Sequence, residues 1–174
     1  MRKSQAMLFT PINRTYSKER RSLRWLILSF TVIVLDQLTK YWVIASLIPY
    51  QPQAVWPFFN LTLMFNKGSA FGFLSHWDNA ASWFFSIIAL VVSAIIITWL
   101  WKLPAAKRWQ ACTLALVLGG ALSNVIDRIF RGHVIDFLDF YYKNWHFAAF
   151  NVADAAISVG AAMWFIQIFF RKDT

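Results

Sequence analysis

Charge is scarce in this chain. Of its 174 residues only 14% are Asp, Glu, Lys or Arg, whereas 59% are hydrophobic, and the mean hydropathy is +0.49. Soluble domains carry roughly 25% charged and 45–50% apolar residues. One soluble core cannot hide this much apolar surface, so the chain needs lipid. Cysteine is nearly absent too: Cys112 stands alone near one end of an apolar run, which excludes a disulfide framework and leaves it a small apolar filler. Histidines are few, and His133 and His146 form no HExxH or other tight ligand set, so neither a metal nor any other cofactor is expected. The stretch Asn66-Lys67-Gly68-Ser69-Ala70-Phe71-Gly72 lacks the spacing and the lysine-serine ending of a phosphate-binding loop, which argues against nucleotide binding.

What the chain has is four long apolar runs, at about 25–44, 79–101, 109–126 and 152–170. Each is close to the ~20 residues that cross a hydrocarbon core of about 30 Å. The fold class expected is an all-α membrane protein of four transmembrane helices. Residues 1–24 form a basic segment, 25–170 a single four-helix domain with outer segments 45–78 and 127–151, and 171–174 a tail. The first run is too long for a cleavable signal core of 7–15 residues and no small-residue cleavage site follows it, so it reads as a retained helix.

Basic residues set the orientation. Arg2, Lys3, Arg14, Lys18, Arg20, Arg21 and Arg24 precede the first run, Lys102, Lys107 and Arg108 separate the second from the third, and Arg171 and Lys172 follow the fourth. Those segments hold most of the 17 lysines and arginines, placing both termini in the cytoplasm. Most of the eight acids (Asp36, Asp78, Asp127, Asp136, Asp139 and Asp154) fall at the opposite ends of the runs. The net charge of +9 is thus mainly a topology signal, and nucleic acid is not an expected partner.

The first outer segment starts with Pro49, Pro52 and Pro57, which prevent a regular helix. From Phe59 the pattern alternates: Phe59, Leu61, Leu63 and Phe65 on one side, Asn60, Thr62, Met64 and Asn66 on the other, a strand signature. With Trp56, Phe58, Phe73 and Trp77 nearby, a small sheet resting on the outer membrane interface is expected.

Two aspartates stand out. In the third run Ala111, Ala115, Gly119 and Ser123 recur every four residues and lead to Asp127; the fourth begins Asp154, Ser158, Ala162. Small residues in such rows let helices approach closely. Packing the two rows together places Asp127 and Asp154 face to face at one depth. Paired carboxyls share a proton and can activate water against an amide. Asn124 and Asn151, each three residues earlier, can orient them, and Arg128 can pair with Asp136 or a lipid phosphate. Asp36 and Lys40, four apart on the first helix, form either a self-satisfied ion pair or a support beside a site. From pattern alone three readings stay open: a catalytic pair, aspartates that merely end helices, and an ion or proton pathway. Serine-lysine peptidase chemistry is disfavoured because Lys40 already has Asp36 on its face.

Five motifs in order carry a further inference: Asp36-Gln-Leu-Thr-Lys40, Asn66 to Gly72, Gly119-Gly-Ala-Leu-Ser-Asn-Val-Ile-Asp-Arg128, Val134-Ile-Asp-Phe137 and Phe150-Asn-Val-Ala-Asp154. Across about 25–170 the chain resembles bacterial lipoprotein signal peptidase, or signal peptidase II, a family of four-span aspartic peptidases. The resemblance implies removal of signal peptides from diacylglyceryl-modified prolipoproteins, cut just before the lipidated cysteine. It implies Asp127 and Asp154 as the catalytic pair, with Asp36, Lys40, Asn66, Gly68, Asn124, Arg128 and Asn151 in support. The expected setting is the bacterial inner membrane, with the site near the outer face and membrane lipids and lipidated prolipoprotein as partners of a monomer. Ser123 departs from the family, which usually has glycine there.

Overall fold

A computed structural model describes residues 22–68 and 78–170. The basic residues 1–21, the stretch from Ser69 through Phe73 to Trp77, and the tail 171–174 lie outside the described residues. After one 3-10 turn at Ser22–Trp25, four helices appear: α1 (Leu26–Ser46), α2 (Asp78–Lys102), α3 (Arg108–Arg131) and α4 (Val152–Phe170). All four are long and apolar enough to cross a membrane. Four strands, β1 (Gln53–Trp56), β2 (Phe59–Asn66), β3 (Val134–Tyr142) and β4 (Trp145–His146), make one antiparallel sheet in the order β1-β2-β3-β4.

α3 is the central helix, packed against α1, α2 and α4. Its residues explain why. Ala115, Gly119 and Ser123 leave a groove that α1 fills with Ser29, Val32, Asp36, Lys40 and Val43, buried residues spaced three and four apart on one face. Ser29 donates to the Ala115 carbonyl at 2.8 Å, and a Cβ on Gly119 would lie 2.7 Å from the Ser29 carbonyl oxygen. The small-residue row of the third helix therefore packs on α1, not on α4 as the sequence pattern suggested. α4 takes the row one residue later. A Cβ on Gly120 would meet the Ala153 carbonyl oxygen at 2.3 Å, and Gly160 fits over Val117 and Thr113 in the same manner. That one-residue offset turns Asp127 towards α1 and Asn124 towards α4.

α3 also runs past its expected end at 126. Hydropathy fades at Asp127, but Asp127 and Arg131 pair across one turn, and the helix stops only at Gly132, whose left-handed φ of 78° and N–H bond to the Arg128 carbonyl cap it.

β2 spans the alternating stretch, but its main partner is β3, inside the connector between α3 and α4. Leu63, Ile135 and Phe137 turn one face of the sheet onto Val43 and Leu47 at the end of α1, with Val152 beside them. Asp139 joins three strands: it accepts from Asn60 Nδ2 and Thr62 Oγ1 of β2 and lies 2.9 Å from His146 Nδ1 of β4. Burial pushes its carboxyl up, but the hydrogen bonds from His146, Asn60 and Thr62 outweigh that and hold it below the usual range. Trp56, Phe58, Tyr142 and Trp145 remain exposed at the outer strands, as aromatics at a membrane interface do.

Gly120→Ala should lower the thermal unfolding midpoint in detergent, at a cost of about 1–3 kcal/mol, because the added methyl meets main chain, not a side chain that can swing away. An unchanged midpoint would show that α3 and α4 are not held this closely.

Candidate active site

The first turn of α4 builds half of the site. Asn151 caps it: its Oδ1 accepts the Asp154 N–H at 2.9 Å, while Asp154 Oδ2 accepts the Asn151 N–H at 3.3 Å. Reciprocal bonds between the cap residue and the residue three later satisfy two backbone donors that the helix cannot. A third donor, the Ala153 N–H, goes to Asp36 Oδ1 of α1 at 2.9 Å. Asp154 thus stands at a helix N-terminus, which favours a carboxylate. Its remaining oxygen, Oδ1, accepts from Asn124 Nδ2 of α3 at 2.8 Å.

The other half comes from β3. The Asn151 side-chain amide donates to Asp136 Oδ1 at 2.7 Å, and Asn66 Nδ2 at the end of β2 donates to Asp136 Oδ2 at 2.9 Å. Asn66 is fixed in turn by the Gly68 N–H, which donates to its Oδ1 at 2.8 Å. Gly68 has a φ of 90°, and a Cβ there would lie 2.8 Å from the Phe85 ring, so glycine is required on both counts. Asp136 is only 2% exposed. Burial, reinforced by the negative charge of Asp154, pushes its carboxyl up to about 6 against the opposing hydrogen bonds from Asn66 and Asn151 and the charge of Lys40. Asn151 therefore links the two aspartates, Asp136 through its side-chain amide and Asp154 through the reciprocal cap bonds, and the amide reaches Asn124 and the Ile135 carbonyl as well.

Asp127 is placed elsewhere. Its Oδ2 lies 2.7 Å from Lys40 Nζ and 3.2 Å from the Ile135 N–H; its Oδ1 takes Gln37 Nε2 at 2.9 Å and the Arg131 guanidinium. The residue is fully buried. The expectation that Asp127 faces Asp154 is corrected by this geometry: the α3 row carrying Asp127 meets α1, where two cations and two further donors saturate the carboxylate. Lys40 also pairs with Asp36 at 2.6 Å, and Asp36 accepts from Ser123 at 2.6 Å. Ser123, where a glycine was expected, contributes a hydroxyl to this cluster. Lys40 and Arg131 balance Asp36 and Asp127 charge for charge.

Of the supporting residues, the structure gathers Asn66, Gly68, Asn124 and Asn151 around Asp136 and Asp154, with Lys40 one bond behind them. Arg128 lies over the Phe85 ring at 5.8 Å and within the electrostatic reach of Asp154 and Asp136, and its Nε is buried with no hydrogen-bond partner among the described residues. A cavity of about 290 Å³ opens beside Asp136, lined by Met64, Phe65, Asn66, Lys67, Ala148 and Ala149. Larger grooves of about 440 Å³ lie on the helices, by Trp99 and by Trp25, but no carboxyl lines either. Asp136 is the residue that sequence reasoning placed only as a partner for Arg128. The signal was present: Val134 to Tyr142 holds β-branched and aromatic residues without glycine or proline, and reading it as a strand puts a buried carboxyl in a sheet.

Comparisons with known proteins agree on one family. The family described as "Signal peptidase (SPase) II" matches residues 28–170. The chain is 50% identical over 147 residues to the lipoprotein signal peptidase of Hydrogenovibrio crunogenus, covering 83% of this chain and 84% of that one. It is 47% identical over 151 residues to that of Alteromonas mediterranea, covering 87% and 83%. Two solved structures described as a bacterial membrane enzyme superpose with TM-scores of 0.76 and 0.74, at 28% and 27% identity. They cover 86% and 87% of this chain and 94% and 93% of theirs. With four candidate spans, this is a multi-pass membrane protein.

Stability separates the two aspartate roles. An unfolded Asp136 titrates near 3.8 and the folded one near 6, so the folded state binds the proton more tightly and loses stability as pH rises between those values. Asp136→Asn abolishes that loss, on the order of 3 kcal/mol, so the variant should gain on the wild type between pH 4 and 7. Asp127→Asn leaves an unpaired buried cation and should cost about 3–5 kcal/mol at pH 7. Thermal unfolding in detergent across that range checks both, and equal behaviour of the two variants would refute the assignment.

Proposed function

The chain belongs to the signal peptidase II family, and on that premise we propose that it is an aspartic endopeptidase whose working pair is Asp136 and Asp154. As in the family, its task is to remove signal peptides from prolipoproteins. The cut falls just before a cysteine bearing diacylglycerol, so the acyl chains stay in lipid while the scissile bond reaches the carboxyls. The observation that carries this reading is Asn151, which donates from its side-chain amide to Asp136 and pairs reciprocally with Asp154 in the helix cap, while Asp136 lines the cavity beside β2.

Asn151 holds Asp136 through its side-chain amide and Asp154 through the helix cap, and two carboxyls kept together in this way share a single proton. The ionised one takes a proton from water as the water oxygen adds to the amide carbonyl carbon. Its protonated partner donates to the carbonyl oxygen, giving a neutral tetrahedral diol. The first carboxyl then passes its new proton to the amide nitrogen, the C–N bond breaks, and the second recovers its proton from a diol hydroxyl. The pair returns to its starting state. Neither a covalent intermediate nor a cofactor enters these steps.

The setting follows from charge. The basic segments before α1, between α2 and α3 and after α4 lie in the cytoplasm, so both termini do, and the site sits near the outer face of the inner membrane. The exposed aromatics of the sheet lie in the outer interface among lipid headgroups. The chain works as a monomer, since one copy holds both carboxyls and the asparagine that links their elements.

Asp136→Asn and Asp154→Asn should each reduce release of the signal peptide from lipidated precursor by about 10²–10⁴-fold in detergent, with the protein folded. A pair made of Asp127 and Asp154 predicts instead that Asp136→Asn remains active. Wild-type turnover in Asp136→Asn would sink the reading offered here.

A further inference from the structure

Resting on the Asp136–Asp154 pair, we propose that Lys40 is a positioning residue that acts through Asn124, holding Asp154 as the ionised, water-activating member and leaving the shared proton on Asp136. The inference starts from what an ammonium can do. It carries three N–H donors and no acceptor. Two of its contacts are to carboxylates, Asp36 at 2.6 Å and Asp127 at 2.7 Å. The third is to Asn124 Oδ1 at 3.0 Å.

An asparagine amide has one accepting end and one donating end. Lys40 accepts nothing, so the oxygen of Asn124 must face it, and the Asn151 amide, donating to the same oxygen at 3.3 Å, sets the same orientation. The NH2 group is then forced to face Asp154, to which it donates at 2.8 Å. The other Asp154 oxygen takes the Asn151 backbone N–H, whose direction the helix cap fixes. Donors therefore meet both oxygens of Asp154, and donors favour the charged form of a carboxylate.

Asp136 also accepts from two amides, but it projects from a strand and not from a helix N-terminus, and burial pushes its carboxyl up. The two carboxyls are thus driven apart in role by different means. Nothing about neutralising Asp36 and Asp127 requires the third bond of Lys40. That bond holds Asn124 Oδ1 from a shorter distance than the Asn151 amide does, 3.0 against 3.3 Å.

The test is the pH dependence of kcat/KM for cleavage of a diacylglyceryl prolipoprotein in detergent, whose acid limb reports the group that must be ionised. Asn124→Leu keeps every charge and removes the donor to Asp154 together with the oxygen that Lys40 and Asn151 share. Lys40→Met combined with Asp36→Asn removes one buried cation and one buried anion, so Asp127 and Arg131 still balance. Asp36→Asn alone, which also touches the Ala153 N–H of the α4 cap, is the control that separates loss of that bond from loss of the Lys40 contact to Asn124. Both variants should move the acid limb to higher pH by about one unit, with KM little changed. Asn124→Leu carries the test by itself should the double variant fail to fold. An acid limb at the wild-type pH in either folded variant overturns the proposal. Failure of the pair itself shows separately, as turnover in Asp136→Asn, wherever the acid limb falls.

Discussion

A lysine ammonium buried among transmembrane helices is the constraint from which the rest of this structure follows. Lys40 has no exposure at all, and an isolated cation at that position costs several kcal/mol. It is offset only if anions come to it. Asp36 comes from one turn earlier on the same helix; Asp127 comes from α3, and with it the need for α3 to lie close along α1. The small residues Ala115, Gly119 and Ser123 are what permit that approach. Arg131 and Gln37 then occupy the second oxygen of Asp127. A charged cluster of this kind adds little net stability over an apolar one, but it fixes register, since sliding either helix by one turn strands a charge.

Register is what the chemistry needs. With α1 and α3 locked, the next row of α3 faces α4, and Gly120 lets the first turn of α4 sit against it. Asn124 thereby lands beside Asp154, and Asp36 reaches across to the Ala153 N–H. The same aspartate that neutralises Lys40 therefore helps to cap the helix that carries Asp154. Neighbouring carboxyls fall into two classes on this basis. Asp36 and Asp127 are met by cations, whereas the contacts of Asp136 and Asp154 among the described residues are amide and backbone N–H groups.

Much of this was legible in the residues. Four apolar runs fixed four helices because spanning length and hydropathy are set by the bilayer, not by tertiary detail. The alternation from Phe59 marked β2, and spacing put Asn151 beside Asp154; Asn66 came from the family motifs, and Asn124, expected beside Asp127, reaches Asp154 instead. What was not legible is which helix each row of α3 meets. Rows at 119, 123, 127 and at 120, 124, 128 differ by one position, about 100° around the helix, and both are dominated by small or polar residues. Spacing alone cannot choose between α1 and α4. Asp136 escaped for a different reason: its role depends on β3 pairing with β2 across some seventy residues of chain, a non-local contact that local periodicity does not encode.

The division of labour between helix and strand also explains why two carboxyls can differ so much at so short a remove. Asp154 is part of a helix cap, so its oxygens lie where backbone N–H groups and the helix dipole already favour negative charge. Asp136 projects from a strand and accepts, among the described residues, from the Asn66 and Asn151 amides. Secondary structure itself thus gives the two carboxyls unequal surroundings. One member stands on a helix apolar and long enough to cross a membrane and the other on the sheet, so on the proposed reading a substrate peptide meets the pair where those two layers join.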